Sequence, residues 1–317
     1  MRGETEMLRN SCDKNSKVLA YITLWTVVVI WGLSPAVNKL INEMSSPTVI
    51  TALVSLISFV FLLIYCKNDL KLINKKYFLV AIPTGMSNAI GSLLQKVGLL
   101  YTTPSQYAFL ENLSCITVPL LMFLFIRKKP SFLTIISSVI CLVGAFVLSG
   151  LNFKTGINFG IGEILCALSG IVYGFNIAGT GCFAKELKSS LYILIHMGVS
   201  LVVSTISMVV LNAVNINGAP ITPIYFSLKT LPVIFILALV SNVLCWIMRN
   251  NSMKKINTST VAVIMPFSAV VASVFSIIVG TDVFSLNLLF GGLIIFASIL
   301  LSSLADARET KLSKIKK

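Results

Sequence analysis

The chain has 317 residues, of which 56% are hydrophobic and 11% charged, and its mean hydropathy is +0.93. Soluble domains carry about 25% charged residues, so these values exclude an ordinary soluble fold and indicate an integral membrane protein. The net charge of +14 does not imply a nucleic-acid partner, because the basic residues cluster between apolar runs, where they act as topology determinants and anionic-lipid contacts.

Ten apolar runs follow in chain order, near 18–41, 47–66, 77–100, 104–126, 132–151, 162–184, 190–213, 230–249, 257–280 and 286–305. About 20 apolar residues suffice to cross a ~30 Å hydrocarbon core as a helix. Residues 1–17 and 306–317 remain as tails, the latter basic. The connection 214–229, with Asn215, Asn217, Gly218, Pro220 and Pro223, reads as a loop. No stretch is left for a separate soluble domain. No cleavable signal peptide is expected, since the tail before Val18 is polar and the first apolar run is too long for an h-region. Lys and Arg number 21 on the side of the two tails and 3 (Lys39, Lys154, Lys229) on the other. That bias predicts cytoplasmic N and C termini, an even number of spans, and a multi-pass protein of the plasma or inner membrane.

The seven cysteines lie mostly within spans and form no CxxC, so they read as small packing residues. His196 is the only histidine and reads as a hydrogen-bonded helix residue. With one histidine, no metal site, cofactor or Ser–His triad is expected, and an enzyme is disfavoured because no nucleophile and base converge.

A shift of 154 residues lays Tyr101–Leu148 over Lys255–Ser302 without a gap, span on span and turn on turn. Identities are few, among them Ser105 with Ser259, Ala108 with Ala262 and Ser114 with Ser268. The expected fold is therefore all-α and integral to the membrane, with ten transmembrane helices in two five-helix repeats, 18–151 and 162–305. Five is odd, so the repeats are inverted relative to each other. Inverted repeats recur in transporters, with the binding site near the midplane between them.

The segments GLLYTTPSQYAFLENLSCITVPLL (98–121) and KINTSTVAVIMPFSAVVASVFSIIVGTDVFSLNLLFGGLIIFASILL (255–301) carry a resemblance to a known family. The chain resembles the EamA-type members of the drug/metabolite transporter superfamily. It departs from them in having Lys128 and Asp282 where the family often has Glu, and Asn112 opposite Pro266.

Polar side chains recur at helical spacing. Span 3 has Thr84, Asn88, Ser92 and Gln95; span 6 has Ser169, Tyr173, Asn176 and Thr180. Span 8 has Asn242, Cys245, Trp246 and Arg249; span 4 has Tyr107, Glu111 and Ser114, with Gln106 and Asn112 alongside. Span 1 offers Trp31, Ser34 and Asn38, and span 9 offers Thr258, Met265, Pro266 and Ser268. Spans 2, 5, 7 and 10 carry mostly Ser and Gly. A central cavity bounded by six spans inside a ring of four is expected, and the resemblance implies the same six. Single Ser and Thr residues commonly do no more than hydrogen-bond a neighbouring helix. Gly170 and Gly174 have the small-xxx-small spacing of close helix packing.

Glu111 lies about seven residues into span 4, roughly 10 Å below the outer boundary. An ionisable group at that depth marks a functional site by default. It suits a protonation or amine-binding role, against the alternative of a structural acid paired with Tyr107, Ser114 or Lys96. Lys96 and Arg249 could hold a carboxylate or phosphate, although snorkelling to the interface accounts for both, and better for Arg249.

The resemblance implies a secondary transporter of small polar metabolites working by alternating access, with amino-acid or related metabolite export as its leading cargo. The expected substrate-binding residues are Asn88, Gln95, Lys96, Tyr107, Glu111, Asn112, Tyr173, Asn176, Asn242 and Trp246. No GxxxxGKS/T loop is present, so a gradient, with proton coupling through Glu111, or exchange supplies the energy. A phosphorylated-metabolite or nucleotide-sugar exchanger is the alternative within this class, and a non-transporting accessory membrane subunit the alternative outside it.

Overall fold

The computed structural model describes residues 2–102, 109–127, 129–150, 160–216, 219–220, 223–278 and 284–315. Its helices are α1 (Arg2–Asn42), α2 (Pro47–Tyr65), α3 (Lys75–Gly98), α4 (Ser114–Ile126), α5 (Phe132–Leu148), α6 (Ile161–Phe183) and α7 (Ser189–Ala213). The run Leu228–Met253 is α8, followed by α9 (Thr258–Ile264), α10 (Phe267–Ile278) and α11 (Leu286–Ile315). Within the connection 214–229, Asn215–Ile216 and Ala219–Pro220 form a two-residue antiparallel pair.

Nine helical runs among the described residues are long and apolar enough to cross a membrane. The fifth expected span is the apolar helix Phe132–Leu148 of 17 residues, about 25 Å long. The helices extend into both expected tails, α1 from Arg2 and α11 to Ile315. Tyr21 Oη and Lys17 Nζ both reach Asp306 Oδ2, at 3.0 and 2.7 Å, which fastens the two ends to each other.

Helix starts follow local chemistry. Pro47 opens α2, where a missing N–H costs nothing. Asn74, Ser131 and Asn257 accept backbone N–H bonds at the starts of α3, α5 and α9. Two spans are broken midway. The fourth turns at Asn112–Leu113 between a short helical turn and α4, and the ninth turns at Met265–Pro266 between α9 and α10. A third irregularity lies in α8, where Leu237–Leu244 is π-helical.

The large exposed apolar side chains, among them Ile64, Leu79, Leu124, Phe132, Ile278 and Leu304, form the bundle's outside. Buried Ser and Thr lie inside. Since lipid is as apolar as leucine, packing relies on small residues that let backbones approach. Gly170 is such a position: a Cβ there would sit 2.5 Å from the Leu110 carbonyl oxygen. At Gly174 it would meet Thr117 at 2.9 Å, so α6 is pressed against the broken fourth span. Helix α5 packs on α11, α3 on α6 and α7, α2 on α7, α4 on α6, and α1 on α8 and α10.

Candidate functional site

A cavity of about 750 Å³ occupies the bundle interior, within the usual range for small-molecule sites. Both helix breaks face it: Glu111 and Asn112 line it from the fourth span, and Met265 and Pro266 from the ninth. Of the ten expected binding residues, Asn88, Gln95, Lys96, Glu111, Asn112, Tyr173, Asn176, Asn242 and Trp246 line this one space. Tyr107 lies outside the described residues.

The closed end is a dense polar floor. Arg249 Nη2 donates to Asn176 Oδ1 at 2.9 Å, and Asn176 Nδ2 donates to the Thr84 carbonyl at 2.9 Å. His196 Nε2 lies 3.2 Å from the same Nδ2. The Tyr192 hydroxyl joins Thr84 Oγ1 and Thr180 Oγ1 at 2.7 and 2.8 Å. The Arg249 guanidinium carbon sits 4.6 Å from the Trp246 ring centroid and 5.8 Å from that of Trp31. Trp31 is itself fixed by an Nε1–H bond of 3.0 Å to the Ser241 carbonyl. Ser241 belongs to the π-helical stretch, and Ser58 Oγ of α2 donates to a second carbonyl there, Ala238, at 3.1 Å. Such stretches disturb the regular backbone ladder and recur at functional sites.

Toward the other end, the Tyr173 hydroxyl donates to Gln95 Oε1 at 2.7 Å, and Lys96 Nζ donates to Thr51 Oγ1. Glu111 is the one acid among the described residues lining the cavity, against two cations, Lys96 and Arg249. Asn242 lies against Met197, with Nδ2 3.9 Å from its sulfur.

Two expectations need correction. Arg249 does not snorkel: it is only 5% exposed and turned inward beneath two indole rings. Nor do four spans stand outside as a ring. Helix α2 lines the cavity with Thr48, Thr51 and Ser55, and α7 with Met197, Ser200, Ser204 and Ser207. Only α5 and α11 contribute no lining residue among those described. The hydroxyl residues of α2 and α7 do recur at helical spacing, but Ser and Thr alone do not separate a cavity wall from a helix contact.

The lined space runs from Arg249 and Asn176 past Lys96, Ser207 and Ser273, toward the face away from the chain termini. The termini face is closed by bonds between the two halves of the chain. Lys76 pairs with Glu186 and Lys188 with Asp69, each at 2.5 Å. The Lys188 backbone N–H donates to the Tyr77 hydroxyl at 3.0 Å, and Ser252 Oγ to the Ala20 carbonyl at 2.9 Å.

Residues 18–150 match the EamA-like transporter family. Over 291 residues it is 22% identical to an uncharacterized transporter of Archaeoglobus fulgidus, covering 91% of this chain and 87% of that one. A protein of known crystal structure has the same fold, with a TM-score of 0.73 at 13% identity, over 91% of this chain and 98% of the other. With nine apolar helices of spanning length among the described residues, the chain is a multi-pass membrane protein, similar to EamA-like transporters over residues 18–150. Its helix breaks place polar backbone where lipid does not reach, the condition under which irregular backbone is tolerated at membrane depth.

Proposed function

We propose that the chain is a secondary transporter of small polar metabolites, with amino acids or related metabolites as cargo, working by alternating access. The observation that carries this reading is a polar cavity lined by the turns in two interrupted spans, above a termini face where the two halves of the chain are bonded to each other.

Ten spans in two inverted repeats, with both termini cytoplasmic, complete the proposal. Two features support the repeat. The breaks at Asn112–Leu113 and Met265–Pro266 fall within one residue of each other under the 154-residue shift. The packing pairs also exchange when spans 1 to 5 are swapped with 6 to 10: α3 on α6 exchanges with α8 on α1, and α4 on α6 with α10 on α1. Discontinuous helices in corresponding positions of two halves mark transporter binding sites. Two similar halves supply two states of near-equal energy, of which this one is closed on the termini face.

Glu111, the lining acid, is assigned the protonation or amine-binding role. The test is a thermal-shift screen of the purified protein against metabolite pools at two pH values, since a ligand of the folded state raises its melting temperature. Hits are then followed as flux in proteoliposomes. Glu111→Gln is expected to abolish proton-dependent flux; unchanged coupling and pH dependence in that variant would remove the role. A second reading, exchange of phosphorylated metabolites, is favoured by one observation: Lys96 and Arg249 line the same cavity. Full organic-phosphate exchange by Lys96→Gln would dispose of it.

A further inference from the structure

Arg249 is buried, lines the cavity and has no carboxylate partner among the described residues. A guanidinium has five N–H donors. Asn176 accepts from Nη2, and the remaining donors meet no protein acceptor among the described residues. The rings of Trp246 and Trp31, 4.6 and 5.8 Å away, pack against the group, leaving its edge to meet a ligand. A buried cation without a counter-charge is unfavourable, and an anion brought to it removes that penalty.

The direction of this edge is imposed from behind. Asn176 cannot turn its amide around, because Nδ2 must donate to the Thr84 carbonyl while Oδ1 must accept from Arg249. His196 Nε2, 3.2 Å from Nδ2, can therefore only accept. That places the imidazole proton on Nδ1, a buried atom with no partner among the described residues. The ring is neutral and adds no competing charge behind the guanidinium. Donors held in place by a supporting shell lose little freedom when an anion arrives.

We propose that this edge is a carboxylate subsite at the closed end of the cavity, where Arg249 anchors the acid group of the cargo. This rests on the reading of the cavity as a cargo site. A carboxylate fits better than a phosphate because the floor offers one cation. Lys96 lies 12 residues beyond Thr84 on α3, about 18 Å along the axis, too far to share one anion with Arg249. A single planar fork matches a carboxylate's two oxygens. Among the described residues the lining carries Lys96 and Arg249 against Glu111, an excess of one positive charge.

The experiment uses the full-length protein in detergent. The panel is amino acids, 2-hydroxy acids and dicarboxylates, each paired with its primary amide, together with inorganic phosphate and glycerol phosphate. Melting temperature and calorimetric affinity are the readouts. Acids are expected to bind and their amides not. Arg249→Gln should weaken acid binding on the order of 10- to 100-fold, the worth of a hydrogen bond to a charged group. Arg249→Lys, which keeps the charge but loses the fork, should fall between, which separates a lost subsite from a misfolded variant. The subsite is overturned if acids and amides bind alike, if no acid in the panel binds, if phosphates bind more tightly than carboxylates, or if Arg249→Gln leaves acid affinity unchanged. Flux in proteoliposomes separates this from the transport reading. Acids that bind through Arg249 without crossing would sink transport and keep the subsite; flux of cargo lacking an acid group, insensitive to Arg249→Gln, would do the reverse.

Discussion

Asn176 serves three partners with one amide: the Arg249 guanidinium, the Thr84 carbonyl and the His196 ring. Replacing it leaves polar groups buried with nothing in exchange. Asn176→Ala is expected to destabilise the protein by about 3 kcal/mol, within the range for orphaned buried polar groups, read as a fall in melting temperature. His196→Phe should cost clearly less. It retains an aromatic ring against Trp246, now 4.6 Å away, and removes the unpartnered Nδ1, while Asn176 keeps its bonds to Arg249 and Thr84. Equal losses from the two variants would make His196, rather than Asn176, the centre of the floor. At this scale the sequence was a fair guide to large polar residues. Asn88, Gln95, Tyr173, Asn176 and Asn242 stand on helical stripes, and all face the cavity. Arg249 was harder to place. Near a span's end a cation ordinarily reaches for the interface, and only the packing of α1 against α8 puts Trp31 over it.

Helix interruptions decide the site more than helix starts do, and proline locates them poorly. Pro83 and Pro119 lie inside the unbroken helices α3 and α4, whereas the fourth span breaks at Asn112–Leu113 with no proline. In the ninth span the break does coincide with Pro266. Proline in a helix interior costs about 3 kcal/mol relative to alanine, so Pro266→Ala is expected to raise the melting temperature. If the break is needed for the change of access, the same variant will turn over more slowly. A rise in both stability and turnover would show that the break is dispensable. The π-helical turns of α8 leave no comparable mark in the sequence. They are read only from where Trp31 and Ser58 send their hydrogen bonds.

Across the whole molecule, the proposed alternating access makes the closure of the termini face the feature that sets which state dominates. The pairs Lys76–Glu186 and Lys188–Asp69 join the first half of the chain to the second. The hydrogen bond and charge of Lys76 hold the Glu186 carboxyl below its ordinary range, and the hydrogen bond that Lys188 donates to Asp69 holds its ammonium above its own. The signs fix the pH window. Glu186 supports closure above the ordinary carboxylate range, about 4.3, and loses that support as pH falls through its lowered value. Lys188 supports closure below about 10.4 and loses it as pH rises through its raised value. These two pairs therefore stay charged near neutrality. Neutralising the face with Asp69→Asn and Glu186→Gln, or adding salt that screens exposed pairs, should shift the population toward opening on that face. Labelling of Ser204→Cys by an impermeant maleimide from the far side should then fall. Undiminished labelling in the double variant would mean that the apolar contacts beneath, not the ion pairs, hold the face shut.

The stacking of Trp31 and Trp246 about Arg249 also has an optical consequence. The chain has three tryptophans, and the third, Trp25, packs edge-on against Phe267 with ring centroids 5.1 Å apart. Indole emission responds to nearby charge and to exclusion of water, so Trp25→Phe leaves a protein whose tryptophan fluorescence comes from the cavity floor alone. Arrival of an anion at the guanidinium would be recorded there as a change in colour and intensity, without a label and on the timescale of mixing.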